Sequence, residues 1–378
     1  MSDQTKIQWC HSTVNPIMGC GGCELFPAPA EILGEIDRAL GKMVEWPGET
    51  SRSIFRHLVE EVFSNITDPL DGHSRAISTT NIWHFREPFV EEVSAAHGKK
   101  AGQVAASVIG QAVTCYAARL HLNKGRSLLN PTRQANPGYA PAFEKLTRFQ
   151  GRVWKMAGMK DLFGVNDPDK PWMQGLPRLI FVSDMGDAFS SERDFGFLEA
   201  EVIEPIRSAE GARHLWLWLT KRPERMARFG EKIGGFPPNV CAMTTITGPA
   251  KLDRIEELQR IPASVRGLSL EPLWERIPAN RLNLDGISWV IAGGESGRAE
   301  YVRPFHAEWA EEIMDHCQRQ VAAFFLKQLG RAPVHCGKPL ALKDSHGGDW
   351  EEWPETLRVR EFPEYFFAYR DLNDCVKK

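Results

Sequence analysis

The chain is 378 residues long, with 42% hydrophobic and 25% charged residues. That balance excludes a disordered, collagen-like or coiled-coil polypeptide, and the length suits two domains or one decorated barrel. The 46 Lys+Arg and 49 Asp+Glu leave a net charge of −3, which argues against a globally basic nucleic-acid binder but leaves a local basic groove open.

In chain order, the polar opening MSDQTKIQWC lacks an apolar signal core, and no apolar run reaches the roughly 18 residues of a membrane span. The expectation is a cytoplasmic protein with no membrane partner, whose eight cysteines are thiols or metal ligands rather than disulfides. A first short strand is expected near Asn15 to Met18. Residues 24–112 differ in texture: Ile54, Leu58, Val59, Val62 and Phe63 recur at helical spacing, a Ser/Thr/Gly-rich stretch follows, and Ala101 to Ala112 is rich in Ala and Gly. This predicts a helical insertion. Between about 177 and 330, short β-branched and aromatic runs recur: Leu179–Val182, Leu215–Leu219, Val240–Ile246, Val265–Leu270, Ile287–Ala292 and Ala322–Leu326. Amphipathic stretches fill the gaps at Phe197–Ala209, Pro223–Ile233, Ala250–Ile261 and His306–Gln320. Near-continuous apolar strands alternating with helices imply an α/β fold with a parallel sheet covered on both faces, either a closed or partial barrel or a doubly wound sheet. From about 331 the chain is rich in Gly, Pro, Trp and acidic residues, and reads as an irregular C-terminal extension. The predicted parts are therefore 1–23, 24–112, 113–330 and 331–378.

Each apolar run ends in polar residues. Ser183, Asp184 and Asp187 follow the first, Thr220, Lys221 and Arg222 the second, and Thr244 and Thr245 the third. Ser269 and Glu271, Glu295 and Ser296, and Lys327 and Gln328 close the last three. Parallel α/β folds place their sites at this edge, although polar residues also mark any strand-to-loop junction. Glu271 and Glu295 stand out, because a carboxylate so close to a core normally needs a partner.

Cys20-Gly-Gly-Cys23 is a C-x-x-C pair in a glycine turn that lets two thiolates converge on an ion. Cys115, near the start of a predicted helix, is the best third ligand, and alone it is equally a core thiol. His121 on the same helix would complete a zinc site. Cys10, Cys241, Cys317, Cys336 and Cys375 lack ligand-like spacing.

Several segments carry a specific resemblance: Lys6-Ile-Gln-Trp, Asn15-Pro-Ile-Met-Gly-Cys20, Cys115-Tyr-Ala-Ala-Arg, Leu219-Thr-Lys-Arg-Pro-Glu-Arg-Met226 and Ser269-Leu-Glu-Pro-Leu273. Gly293-Gly-Glu-Ser-Gly297, Arg303-Pro-Phe-His306, Phe324-Phe-Leu-Lys-Gln328 and the tail from Gly347 through Trp353 to Arg358 complete the set. In these the chain resembles a phage-associated family of unknown function with a three-cysteine motif, a motif similar to that of radical S-adenosylmethionine enzymes. The departure is the long segment between Cys23 and Cys115, where the commoner pattern keeps the three cysteines close.

The resemblance implies a partial (β/α)6-type TIM-like barrel and a [4Fe–4S] cluster on Cys20, Cys23 and Cys115. Three ligands leave one iron open for S-adenosylmethionine. It further implies that Tyr116 packs over the cluster or the adenine, and that Ser183, Asp184 and Asp187 meet the cofactor's amine. The aspartates could instead cap the following helix. Thr245, Ser269, Gly293, Gly294 and Glu295 become cofactor contacts, and Lys221, Glu271, Glu295 and Lys327 the catalytic candidates. Lys221 and Arg222 suit a carboxylate or phosphate. Trp46, Trp83, Trp350 and Trp353 are expected to pack rather than stack on bases. An electron donor and an unknown substrate, nucleic acid or nucleotide among the options, are the implied partners. Two rival readings remain: a zinc-stabilised nucleic-acid-binding or nuclease-type protein, and a non-catalytic phage structural protein.

Overall fold

The computed structural model describes residues 4–47, 50–63, 77–124, 138–140 and 142–369. Cys375 lies outside them. Chain contacts divide the molecule into two units, Met18–Thr147 and the remainder, Met1–Ile17 with Arg148–Lys378.

The larger unit is built on a curled half-barrel sheet of seven parallel strands: β1 (Ser12–Val14), β2 (Leu179–Val182), β3 (Leu215–Thr220), β4 (Val240–Thr245), β5 (Val265–Leu270), β6 (Trp289–Gly293) and β7 (Ala323–Gln328). The strands lie side by side in chain order. Each neighbour is parallel, as when Ile180 pairs with Ser12 on one side and Trp216 on the other. Strands β2, β4 and β6 are buried along their whole length, the signature of a sheet covered on both faces. Helices at Pro223–Lys232, Asp253–Gln259 and Ala307–Arg319 connect the later strands. The β2–β3 connection runs through Phe195–Leu198, a π-helical turn at Glu199–Ile203 and Glu204–Arg207. Trp216, Trp218 and Trp289 are fully buried. Much of the tryptophan content is therefore core.

The sheet's first strand is Ser12–Val14, three residues before the expected Asn15 to Met18, where the chain forms only a separate two-residue strand, Ile17–Met18, outside the seven-stranded sheet. Asn15 ends the ladder because its side chain is engaged elsewhere, and Pro16 has no N–H to continue it. The tail is less irregular than expected. Pro333–His335 pairs parallel with Phe305–His306 and antiparallel with Lys338–Pro339. Further on, the chain returns to β7: Leu326 N–H donates to Val359, and Glu361 N–H to Phe324. Between them Arg360 is buried within 4.0 to 5.1 Å of the rings of Trp172, Trp350 and Trp353. Trp350 and Trp353 pack on a cation of their own chain, as expected, with Trp172 beside them, and burial lowers the Arg360 pKa to about 10.

Beneath the sheet, Lys170 donates to the carbonyls of Thr5, Ile7 and Cys10 at 2.6 to 2.7 Å. His11 is buried, and its Nδ1 accepts the Leu179 N–H at 2.9 Å.

The smaller unit is helical: α1 (Pro29–Gly41), α2 (Thr50–Phe63), α3 (Thr79–His84), α4 (Arg86–His97), α5 (Lys99–Ala112) and α6 (Tyr116–Lys124). On α1, Ile32, Leu33, Ile36 and Leu40 form one buried stripe, which packs on α5. Phe55 of α2 stacks on Phe89 of α4 with centroids 4.2 Å apart. Ser78 caps α3 through the Asn81 N–H. Trp46 donates to Asp37, and Trp83 lies under Arg86 and Arg119. Both serve packing.

Candidate functional site

The two units are described in turn. In Met18–Thr147, the Cys20–Cys23 turn begins after Gly19, whose φ of +94° lies in the left-handed region. A Cβ there would stand 2.8 Å from the carbonyl oxygens of Phe143 and Lys145, so only glycine fits. Cys20 N–H donates to Phe143 at 2.8 Å. Cys23 and Phe26 exchange two main-chain hydrogen bonds, which leaves Leu25 at the tip of a tight loop. The Leu25 carbonyl then accepts the N–H groups of Thr114 at 3.1 Å and Cys115 at 2.9 Å. Cys115 is thus tied two residues from Cys23, although 91 residues lie between them in sequence. Phe26 and Phe143 meet edge to face at 5.0 Å and brace both loops.

Cys115 precedes α6, and its Sγ accepts the Ala118 N–H at 3.5 Å. A sulfur facing the amides of a helix start is in a field that favours negative charge. Cys20 is buried, whereas Cys23 and Cys115 are half-buried. Tyr116 is 59% exposed, so its ring is not part of the unit's core. His121 is buried, with Nε2 2.7 Å from the Ala140 carbonyl, and its Nδ1 has no partner among the described residues. Burial lowers its pKa.

In the half-barrel, the C-terminal strand ends carry the other candidates. Asn15 is the hub after β1: its Oδ1 accepts the Met185 N–H at 2.8 Å, and its Nδ2 donates to Asp184 at 2.6 Å. Burial raises the Asp184 pKa, opposed by the hydrogen bond from Asn15. Asn15 was not singled out as a site residue; the Asn-Pro dipeptide closing a short strand was the available signal.

Asp187 has a different task from the one the resemblance implied. Its carboxylate accepts from Phe189 N–H, the Thr220 hydroxyl, Lys221 N–H and Arg222 Nη1, the last at 2.7 Å. It ties the end of β2 to the end of β3 and caps the short helical turn at Ala188–Ser190. An acceptor so fully engaged is poorly placed to take an ammonium as well. Capping, one of the two expectations, is what the structure gives it.

Both suggestive glutamates have a cationic partner. Glu271 accepts from Lys327 Nζ, joining β5 to β7. Glu295, 4% exposed, accepts from the backbone and guanidinium of Arg303 through Oε2. Arg303 in turn lies 4.0 Å over the Trp274 ring. Gln328 donates to the Gly294 carbonyl. Gly294 is required by the chain itself: a Cβ there would stand 2.3 Å from the Leu329 carbonyl oxygen. Gly293 has ordinary contacts at 3.4 Å, so the close approach inferred for the Gly-Gly pair is to β7's own continuation at Gly294.

Three oxygens stand apart. Ser183 Oγ, Thr245 Oγ1 and Glu295 Oε1 are buried and find no partner among the described residues. They follow or end β2, β4 and β6. Ser183 also has φ of +73°, in the left-handed region that disfavours side chains. A buried polar atom left unsatisfied costs about 1–3 kcal/mol, so three on one edge point to a polar ligand that satisfies them. Ser269 at the end of β5 is buried too, and its carbonyl accepts the Ile246 N–H. Lys221 is half-buried.

Among the described residues no helix is long and apolar enough to cross a membrane. A family model described as a protein of unknown function, DUF5131, matches residues 111–354, nearly two thirds of the chain. The chain belongs to that family. The matched segment contains Cys115 and every rim residue from Ser183 to Gln328, and it begins after Cys20 and Cys23. Comparison with curated proteins returned no match. Comparison with solved structures returned none either.

Proposed function

We propose that this DUF5131 chain is an iron–sulfur enzyme of the radical S-adenosylmethionine type. The observation that supports the reading is the hydrogen bonding of Cys115 to the Cys20–Cys23 loop through Leu25. Five helices lie between the second and third cysteines among the described residues, yet the third is hydrogen-bonded two residues past the second, which supports a shared three-thiolate set. Cys20, Cys23 and Cys115 would hold the cluster, with the α6 amides supporting negative charge at Cys115. When bound, a [4Fe–4S] cluster with one open iron supplies the electron that cleaves S-adenosylmethionine into a hydrogen-abstracting radical.

The half-barrel's residues have separate work. Ser183, Thr245 and Glu295 offer oxygens for the hydroxyls of a nucleoside-like ligand, and Asp184, with its raised pKa, is a carboxyl able to hold a proton. The Glu271–Lys327 and Glu295–Arg303 pairs keep rim charges fixed while apolar strands exclude water. The phage association of the resembling family makes a nucleotide or nucleic acid the first substrate class to test, and an electron donor is the required partner.

Anaerobic reconstitution with iron and sulfide, followed by visible and EPR spectroscopy, tests the reading. The expected result is roughly four iron and four sulfide per chain, both lost in Cys115→Ala. No cluster signal in the wild-type protein sinks the proposal.

One observation favours a zinc site as second reading: Nδ1 of buried His121, whose pKa burial lowers, has no partner among the described residues. Donors sharing one zinc sit roughly 3.5 Å apart, and no three of Cys20, Cys23, Cys115 and His121 form so compact a set among the described residues. One zinc per chain that depends on Cys115, without sulfide, would establish it.

A further inference from the structure

We propose a second metal site, on Glu308, His335 and Cys336, that takes a zinc-like divalent cation. Their donor atoms (one carboxylate oxygen, one imidazole nitrogen and one Sγ) all lie within 4.8 Å of one another. Carboxylate, imidazole and thiolate together form a donor set of the kind zinc takes at tetrahedral sites, where ligands stand roughly 3.5 Å apart. Small side-chain rotations close the difference. The fourth position is left to water.

Strand register builds the set. Pro333 pairs with Phe305 and Val334 with His306, in parallel. One and two residues further on, His335 and Cys336 come level with the first residues of the helix Ala307–Arg319. Cys336 N–H donates to a Glu308 carboxylate oxygen, which fixes that side chain against the turn. His335 Nε2 lies 4.0 Å from Glu311, beyond hydrogen-bond distance, so this carboxylate could take the ring N–H only after a small shift.

The turn adds an independent observation. Val334 pairs with Pro339 and His335 with Lys338, so Cys336 and Gly337 are the two central residues of a hairpin turn. Their φ values are +50° and +71°. Such turns favour Asn-Gly or Gly-Gly, because β-carbons resist this conformation. Cysteine is a poor choice for the backbone here, and the thiol accounts for it. Cys336 is also exposed, so an ion reaches it directly. Binding would convert the thiol to a metal-bound thiolate, with its proton released to buffer.

The site is independent of the cluster cysteines, and the test separates them. Chelator-stripped full-length protein is titrated with Co(II) under reducing, anaerobic conditions, and the thiolate-to-cobalt charge-transfer band is read alongside the stoichiometry of zinc competition. The expected result is one equivalent at this site in Cys115→Ala, and the same equivalent in wild type beyond what the Cys20, Cys23 and Cys115 thiols take. In the Cys115→Ala background, affinity should fall by more than about tenfold on adding His335→Ala, and this site's charge-transfer band should vanish on adding Cys336→Ser. Cobalt binding unchanged in both variants, or no binding above that of a Cys336→Ser/His335→Ala double variant, overturns the proposal. Iron reconstitution should be unaffected by Cys336→Ser, which shows that the variant is folded. If that variant also loses iron, the site is not independent and the proposal falls.

Discussion

Replacing Asp187 tests whether this carboxylate is a structural clamp or a ligand-binding group. It is buried and accepts from four donors, including an Arg222 guanidinium whose side chain is only 14% exposed. In Asp187→Ala the arginine is left buried beside an uncompensated space, and two main-chain N–H groups lose their acceptor. Breaking a pair this buried typically costs about 3–5 kcal/mol. Asp187→Asn keeps an oxygen for the main-chain donors but removes the charge, for a loss of about 1.5–3 kcal/mol. Urea unfolding followed by tryptophan fluorescence reads both, because Thr220, which donates to Asp187, lies on the same strand as buried Trp218. The order wild type, Asn, Ala is expected. A group held in place to receive a ligand predicts the opposite, since relieving unsatisfied charge leaves stability unchanged or raises it. An alanine variant within about 1 kcal/mol of wild type would refute the clamp.

The glycine pair and the buried histidine give two further tests. Gly294→Ala should lose about 1–3 kcal/mol or fail to accumulate as soluble protein, because the new methyl meets main-chain atoms of Leu329, whereas Gly293→Ala should stay within about 1 kcal/mol; equal midpoints for the two would contradict the packing argument. Burial, with Lys170 and Arg178 nearby, lowers the His11 pKa to about 3, against about 6.5 in the unfolded chain. Between those values the unfolded state binds the extra proton, so His11 stabilises the fold above pH 6.5 and that contribution is lost as the pH falls towards 3. His11→Asn, which keeps an acceptor for the Leu179 N–H, should flatten the acid limb of a stability-versus-pH curve; an unchanged limb would show that other groups control it.

Much of the half-barrel was legible because buried parallel strands leave a strong mark. Leu179–Val182 and Val265–Leu270 coincide with β2 and β5 to the residue: the first is continuously apolar, the second is apolar or small apart from the half-buried Arg266, and a polar residue closes each. Ser12–Val14 was missed because three residues, two of them hydroxylic, carry no periodicity. The paired strands around Phe305 and Pro333 were missed for the same reason: two or three residues are too few to alternate. Within the site, residue type identified which strand ends carry chemistry but not how the carboxylates divide their work. Asp184 and Asp187 sit three apart in one loop, yet one is held by Asn15 while the other is consumed by β3. Only tertiary register separates such neighbours. Glu308, His335 and Cys336 were illegible for a related reason, since a parallel pairing brings them together from 27 residues away with no local spacing to betray it.

The return of the tail to β7 bears on whether the sheet's margin can recruit a strand from another chain. A sheet that curls without closing has two bare margins, and each is a template on which another chain can add a strand. At one margin β1 is only three residues long, too short to recruit a partner firmly. At the other, main-chain groups of Phe324 and Leu326 that would face outward are already engaged by Val359 and Glu361, and Arg360 is locked among tryptophans in between. The barrel is open in topology yet sealed against strand exchange, and the seal belongs to residues beyond the end of the segment that defines the family.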